Sequence, residues 1–119
     1  MFRFIKSIVL SLTILYGLIQ ADAPAWAVNE SDYSGSASLT SIILLNEAEL
    51  GPNNIVGAFF DDVCRGVSSS QSYEGTELYY ITVFGNSNSE NINFKVWVAD
   101  SDTILPIFET IQYEYNATF

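Results

Sequence analysis

The chain has 119 residues, the length of one small domain, and 49% of them are hydrophobic, enough to form a buried core. Its formal net charge of −10 argues against DNA or RNA as a partner, because phosphate contacts require Lys and Arg. The absence of His removes the usual neutral-pH base and His-ligated zinc, and a single Cys cannot form an internal disulfide.

The first residues have the pattern of a secretory signal peptide. Arg3 and Lys6 precede an apolar run over residues 8–19, and small residues follow that run. A basic region, an apolar region and a small-residue cleavage site in this order are typical of an export signal. The apolar run is shorter than the roughly 20 residues of a membrane anchor, so we expect no stable membrane span after cleavage.

Two cleavage sites compete, one after Ala23 and one after Ala27, because each ends an A-x-A motif. We take the first, which predicts a signal peptide over 1–23 and a domain over 24–119. The predicted location is therefore secreted, in the extracellular medium or on the cell surface.

From Ser34 onward the sequence predicts short strands separated by turns. The alternation is clearest over 91–98, where every second residue is apolar. The predicted strands are 34–46, 54–60, 63–69, 77–84, 91–98, 103–107 and 110–118. Without an amphipathic helix to cover a sheet, such strands bury their faces against each other. The fold class is therefore all-β, an immunoglobulin-like or jelly-roll-type β-sandwich of about seven strands.

Turn and edge signals complete this prediction. Asp61-Asp62 is expected to form a two-residue hairpin turn, although Asp-Gly would suit such a turn better. Residues 70–76 are predicted to be a polar connection, and 77–84 a central strand that is apolar on both faces. Pro106 indicates an edge strand or a strand end, because proline cannot donate to a ladder of hydrogen bonds.

Several short motifs occur in an order that resembles a secreted bacterial β-sandwich module. They are Trp26-Ala27-Val28-Asn29, Asp32-Tyr33, Ile55-Val56-Gly57-Ala58-Phe59-Phe60, Cys64-Arg65-Gly66-Val67, Val83-Phe84-Gly85-Asn86 and Ile92-Asn93-Phe94-Lys95-Val96-Trp97. Such modules occur singly or in tandem in large exported and surface proteins, some of which end in type IX secretion sorting tails. The resemblance implies a sandwich fold and an exported location, and it favours cleavage after Ala23 because Trp26 then belongs to the domain.

Four residues of the motif region are expected to be structural. Cys64 is predicted to be a small buried hydrophobe in its strand. Arg65 is expected to pair with Asp61, Asp62 or another carboxylate and so fix the hairpin, in preference to binding an anion. Gly57 and Gly66 are expected to permit a close backbone approach or a bulge.

No cofactor is expected, and calcium is a weak candidate. Asp61, Asp62, Asp100 and Asp102 lie in predicted turns, where calcium sites of sandwiches can form. Calcium needs roughly six to eight oxygen ligands, and the twelve-residue calcium loop is absent.

Aromatic residues are the candidate binding groups. Trp97 is predicted to lie on the face opposite the apolar residues of its strand, where it would either pack or offer a stacking platform. Tyr79 and Tyr80 point to opposite faces of their own strand, so one of them can join Trp97.

The sequence predicts a non-catalytic, exported structural or interaction module. Its partner would be a protein or a second copy that pairs with an edge strand, for which 110–118 is the candidate. The alternative is a carbohydrate-binding module that uses exposed aromatics around Trp97. An enzyme is not expected, because so small a sandwich leaves little room for a deep cleft.

Overall fold

The computed structural model describes residues 23–119, so the predicted signal sequence up to residue 22 lies outside the described residues. A short 3-10 helix over Glu30–Asp32 precedes eight strands. The strands are β1 Gly35–Ser41, β2 Leu44–Leu45, β3 Ala48–Glu49, β4 Ile55–Phe60, β5 Val63–Tyr73, β6 Thr76–Gly85, β7 Asn91–Val98 and β8 Thr103–Gln112. The predicted all-β class is confirmed.

Six strands form one antiparallel sheet in the order β1-β6-β5-β4-β7-β8, and β2 and β3 form a separate small pair. β5 connects the two halves of the large sheet, because its first residues pair with β4 and its last four pair with β6. The inner faces of β1 and β6 share one hydrophobic core with those of β4, β7 and β8. The fold is therefore sandwich-like, as predicted.

Strict alternation along the strands produces this core. On β7, the apolar residues at 92, 94, 96 and 98 are buried, while Asn93 is exposed and Lys95 and Trp97 are half-buried. On β6, Ile81 and Val83 are buried but Tyr80 and Thr82 are exposed. The prediction of a central strand over 77–84 is confirmed, because β6 lies between β1 and β5. Its outer face stays partly open, since Tyr80 and Thr82 are exposed there and Phe84 is half-buried.

Two tight hairpin turns organise the centre of the sheet. Asp61 and Asp62 connect β4 to β5 with φ of 49° and 63°, the left-handed pair of a type I′ turn. Glu74 and Gly75 connect β5 to β6 with φ of 49° and 82°. The first turn was predicted, but the polar connection predicted over 70–76 was wrong. Polar residues there continue β5 as far as Tyr73, because that part of the strand is mostly exposed.

The C-terminal residues cover one edge of the sheet. β8 ends at Gln112, and Asn116, Ala117 and Phe119 then make backbone hydrogen bonds with β1, including a parallel bridge between Ser38 and Thr118. The predicted single terminal strand over 110–118 is therefore corrected to two pieces. The second piece pairs with the free side of β1.

The other end of the sheet is β8, which carries Pro106 opposite Lys95 of β7. The prediction that Pro106 marks an edge strand is confirmed. Proline offers no backbone N–H, so it interrupts the row of donors along this strand.

Candidate functional site

The three predicted binding aromatics do not form one surface. Tyr79 is 0% exposed and belongs to the core, and its burial raises the pKa of its phenol. Trp97 is half-buried, and its Nε1 donates a hydrogen bond to Asp102 Oδ1 at 3.0 Å. Tyr80 is 47% exposed, but β5 and β4 lie between its strand and that of Trp97.

The predicted calcium ligands are also separated. β4 and β7 are antiparallel, with Ile55 opposite Trp97 and Phe59 opposite Asn93. The Asp61-Asp62 turn therefore lies where β7 begins, and the Asp100–Asp102 turn lies where β7 ends. Among residues 23–119, no group of three or more acidic or sulfur side chains is placed to hold a metal ion.

Arg65 is held by a carboxylate that the sequence pattern did not single out. Its Nη1 and Nη2 donate to the two carboxylate oxygens of Glu90 at 3.2 and 3.0 Å, and Nη1 also donates to the Phe84 carbonyl at 3.0 Å. The guanidinium carbon lies 4.5 Å from the ring centre of Tyr33 and 5.0 Å from that of Phe60. Arg65 therefore joins β5, the loop after β6 and the N-terminal segment.

This pair is largely withdrawn from solvent, with 7% of the Arg65 side chain and 11% of the Glu90 side chain exposed. The hydrogen bond from Arg65 holds the pKa of Glu90 below its usual value, and bonds from the Asn86 and Ser87 amides act in the same direction. Burial alone would lower the pKa of Arg65, but the hydrogen bond and charge of Glu90 raise it. The arginine is thus a structural cation whose Nη1 and Nη2 are both bound to Glu90.

Cys64 and two glycines shape the strands around this pair. The Cys64 thiol is half-buried, lies 3.5 Å from the Gly66 carbonyl, and has a pKa raised by burial. A Cβ on Gly66 would stand 2.4 Å from the Thr82 carbonyl oxygen, so β5 and β6 meet there at backbone distance. A Cβ on Gly57 would stand 2.7 Å from the rings of Trp26 and Phe59.

The segment before the 3-10 helix lies across the outer face of the sheet. The Trp26 ring meets that of Phe59 edge-on, with centroids 5.3 Å apart, and sits where Gly57 leaves room. Lys95 places its Nζ 4.9 Å from the centre of the Phe59 ring. This packing belongs to the outer face, which the sequence predicted to be either solvent or covered.

An open groove runs between this segment and the outer face of β5 and β6, with a volume of about 530 Å³. The residues that line the groove are Trp26, Ala27, Val28, Glu30, Gly66, Val67, Tyr80, Thr82 and Phe84. Val67 and Tyr80 are exposed, and three of the nine are aromatic. We call this set the outer groove.

The outer groove was missed as a site because its two walls are some 40 residues apart in the sequence. Six of the lining residues occur in the quoted motifs, but none of those six was predicted to bind a ligand, and Tyr80 was paired with Trp97. The period-two alternation of β6 does place Tyr80, Thr82 and Phe84 on one face, so that signal was present. The position of Trp26 over β4 has no local signal.

Comparisons with protein-family models, with curated proteins and with solved structures gave no match. Within residues 23–119 there is no helix with the length and apolar character needed to cross a membrane.

Proposed function

We propose that this protein is a non-catalytic, exported interaction module that binds its partner through the outer groove. One observation carries the proposal: three aromatic and several apolar residues line a concave surface together with polar ones, and Val67 and Tyr80 remain exposed there. Burying such apolar side chains against a partner gains roughly 25 cal/mol per Å² of apolar area. The polar groups of the lining can fix the partner's orientation.

The export part of this proposal rests on the basic, apolar and small-residue pattern before residue 24. The packing of Trp26 against Phe59 and Gly57 supports cleavage after Ala23. Cleavage after Ala27 would remove Trp26, open the outer face of β4 and take away one wall of the outer groove.

The non-catalytic part rests on the chemistry of the lining. Glu30 is the one carboxylate among the residues that line the outer groove, whereas hydrolysis of a glycosidic bond uses two. Thr82 supplies a hydroxyl, but the chain has no His that would act as its base.

Contact through side chains replaces the predicted strand addition. The C-terminal residues already pair with β1, and Pro106 interrupts the donors of β8. A partner strand would have to displace the C-terminal residues from β1 or pair with β8 despite Pro106. A partner that binds in the groove meets neither obstacle.

Carbohydrate binding is the second candidate, and one observation favours it. The outer groove is lined by three aromatic residues, Trp26, Tyr80 and Phe84. The apolar face of a sugar ring can stack on an aromatic ring, while polar residues of the lining bind its hydroxyl groups. The site would then differ from the predicted one, because Trp97 and Tyr79 take no part in it.

Matched tyrosine variants test the proposal. Fluorescently labelled protein of residues 24–119 is added to cells that produce the protein, and the bound fraction is measured for the wild type, Tyr80→Ser and Tyr73→Ser. Both tyrosines are exposed, at 47% and 54%, but Tyr73 lies outside the groove lining. We expect Tyr80→Ser to lose most of the binding and Tyr73→Ser to keep it. Equal binding by all three proteins would refute the proposal.

A further inference from the structure

We infer that the group entering the outer groove is a Lys or Arg side chain of a partner polypeptide. This inference rests on the proposed function, and it adds the chemistry of the partner. Three features of the described residues carry it: an unpaired carboxylate, aromatic walls, and the positions of the chain's own cations.

The first feature is the carboxylate of Glu30. It is exposed at the groove and makes no ion pair or side-chain hydrogen bond with the described residues. Arg65 and Lys95 are the basic residues of that part of the chain, and neither lines the groove. Arg65 is bound to Glu90, and Lys95 lies over Phe59. The groove therefore carries a negative charge that no cation of residues 23–119 neutralises, which favours a cationic ligand and disfavours an anionic one.

The second feature is the aromatic lining. A cation over the face of Trp, Tyr or Phe is attracted by the negative charge of the ring face. Trp26, Tyr80 and Phe84 line the groove together with Glu30. Rings and a carboxylate in one concave surface suit an ammonium or guanidinium group whose alkyl stem also packs on apolar walls.

The third feature is the chain's own use of this chemistry. Arg65 lies over the rings of Tyr33 and Phe60, and Lys95 lies over the ring of Phe59, at 4.5 to 5.0 Å. Both cations of the described chain thus contact aromatic rings of the outer face and its edge. The groove offers rings of the same kind next to the Glu30 carboxylate, and neither Arg65 nor Lys95 occupies it.

A polypeptide fits the shape better than a small amine. The groove is open, follows the exposed face of β6, and at about 530 Å³ holds several side chains. A net charge of −10 over the whole chain adds long-range attraction for a basic segment and speeds its approach at low salt.

The test uses residues 24–119 labelled with ¹⁵N and a positional-scanning library of acetylated, amidated pentapeptides. Bound peptides are sequenced, and the best one is titrated while the amide signals of Val67 and Thr82 are followed. We expect enrichment of Lys or Arg at one position and roughly three-fold weaker binding when that residue is replaced by Gln. We also expect Glu30→Gln to weaken binding similarly, whereas Glu114→Gln, an exposed control with the same charge change, should not.

Other outcomes separate this inference from the proposed function. Peptides that bind at Val67 and Thr82 without preference for Lys or Arg would overturn the inference and leave the interaction module intact. Choline binding as tightly as the best peptide would assign the groove to a small amine and also overturn it. No peptide binding, together with signal changes caused by a neutral oligosaccharide, would overturn both and favour the carbohydrate candidate. No signal change with any of these probes would overturn both as well.

Discussion

A single buried ion pair holds together three separate parts of this small protein. Arg65 of β5 donates a hydrogen bond to each carboxylate oxygen of Glu90. Glu90 also accepts hydrogen bonds from the backbone amides of Asn86 and Ser87. Two rings, Tyr33 and Phe60, flank the guanidinium group. Removing one partner of such a pair leaves an uncompensated charge out of water, which is more costly than losing an exposed pair.

Glu90→Gln should therefore change both stability and its pH dependence. We expect a loss of about 3 kcal/mol in the free energy of unfolding at pH 7. Because the folded-state pKa of Glu90 is lowered, the pair contributes fully above the unfolded pKa of about 4.3 and loses its contribution as the pH falls through the lower folded value. Urea unfolding of the variant should thus show a weaker decline below about pH 5 than the wild type does. Glu114→Gln serves as the control, and an identical decline in Glu90→Gln and wild type would contradict this assignment.

Gly66 is the position where backbone contact leaves least room. Its Cβ would stand 2.4 Å from the carbonyl oxygen of Thr82, so one of the two strands would have to move. We expect Gly66→Ala to lower the free energy of unfolding by about 1–3 kcal/mol. Gly51→Ala is the matched control because nothing lies within 4 Å of its Cβ, and it should change stability by no more than about 0.5 kcal/mol. Equal effects of the two substitutions would show that the close approach is unimportant.

At the level of the strands, the two hairpin turns have the same geometry but different sequences. Asp61-Asp62 and Glu74-Gly75 both have two residues of positive φ, and only the second turn has glycine. A side chain in this conformation meets its own backbone, whereas glycine does not. Asp adopts the left-handed conformation more readily than most residues with a side chain, so Asp61-Asp62 can form this turn without glycine.

Reciprocal substitutions in the turns test this reading. Asp62→Gly should raise the denaturant midpoint by an amount corresponding to about 0.5–1 kcal/mol, and Gly75→Asp should lower it by a similar amount. The first change raises the net charge by one and the second lowers it by one. The double variant with both substitutions keeps the wild-type net charge and therefore controls for charge. Opposite signs from those expected would mean that the turns relax to another conformation.

The C-terminal residues are the element that closes the fold. Four backbone hydrogen bonds connect residues 116–119 to β1. Truncation after Tyr115 should cost about 2–6 kcal/mol, because it removes all four bonds and each contributes about 0.5–1.5 kcal/mol. It should also expose the edge of β1, so light scattering should detect more self-association in the truncated protein than in the full chain. A truncated protein that stays monomeric and equally stable would contradict this role.

The sequence predicts some of these elements and not others, for physical reasons. β7 follows from alternation, β4 from its short apolar run and the turn at Asp61-Asp62 from local turn chemistry, and the structure confirms all three. The extension of β5 to Tyr73 was missed because Gln71 and Ser72, which point to opposite faces of the strand, are both polar and exposed. The pairing of residues 116–119 with β1 was missed because a parallel contact between segments so far apart in the sequence leaves no local pattern.

The candidate site divides in the same way. Alternation places Tyr80 and Thr82 on one face of β6, so part of the groove is readable from sequence. Trp26 reaches that face only because Gly57 leaves space beneath its ring, a contact between residues 31 positions apart. Arg65 was expected to find a carboxylate, but nothing local distinguishes Glu90 from the acids nearer in sequence.

For the whole molecule, we propose that this sandwich binds through its outer groove and not through its strand edges. One edge is covered by the chain itself and the other carries Pro106, so side chains are the contact surface that remains. Phe108 on the edge strand β8 is an aromatic residue that is 60% exposed, so it serves as the control position for Tyr80 of the groove.

The most direct measurement places a photo-cross-linking amino acid at position 80 or at position 108 of residues 24–119 and irradiates each protein on the cells that produce it. The account predicts a discrete adduct from position 80, lost when excess unlabelled wild type is added and retained when excess Tyr80→Ser is added, with little adduct from position 108. An adduct from position 108 that excess wild type abolishes, with no adduct from position 80, would contradict the proposal. That result would identify the edge strand β8 as the binding surface.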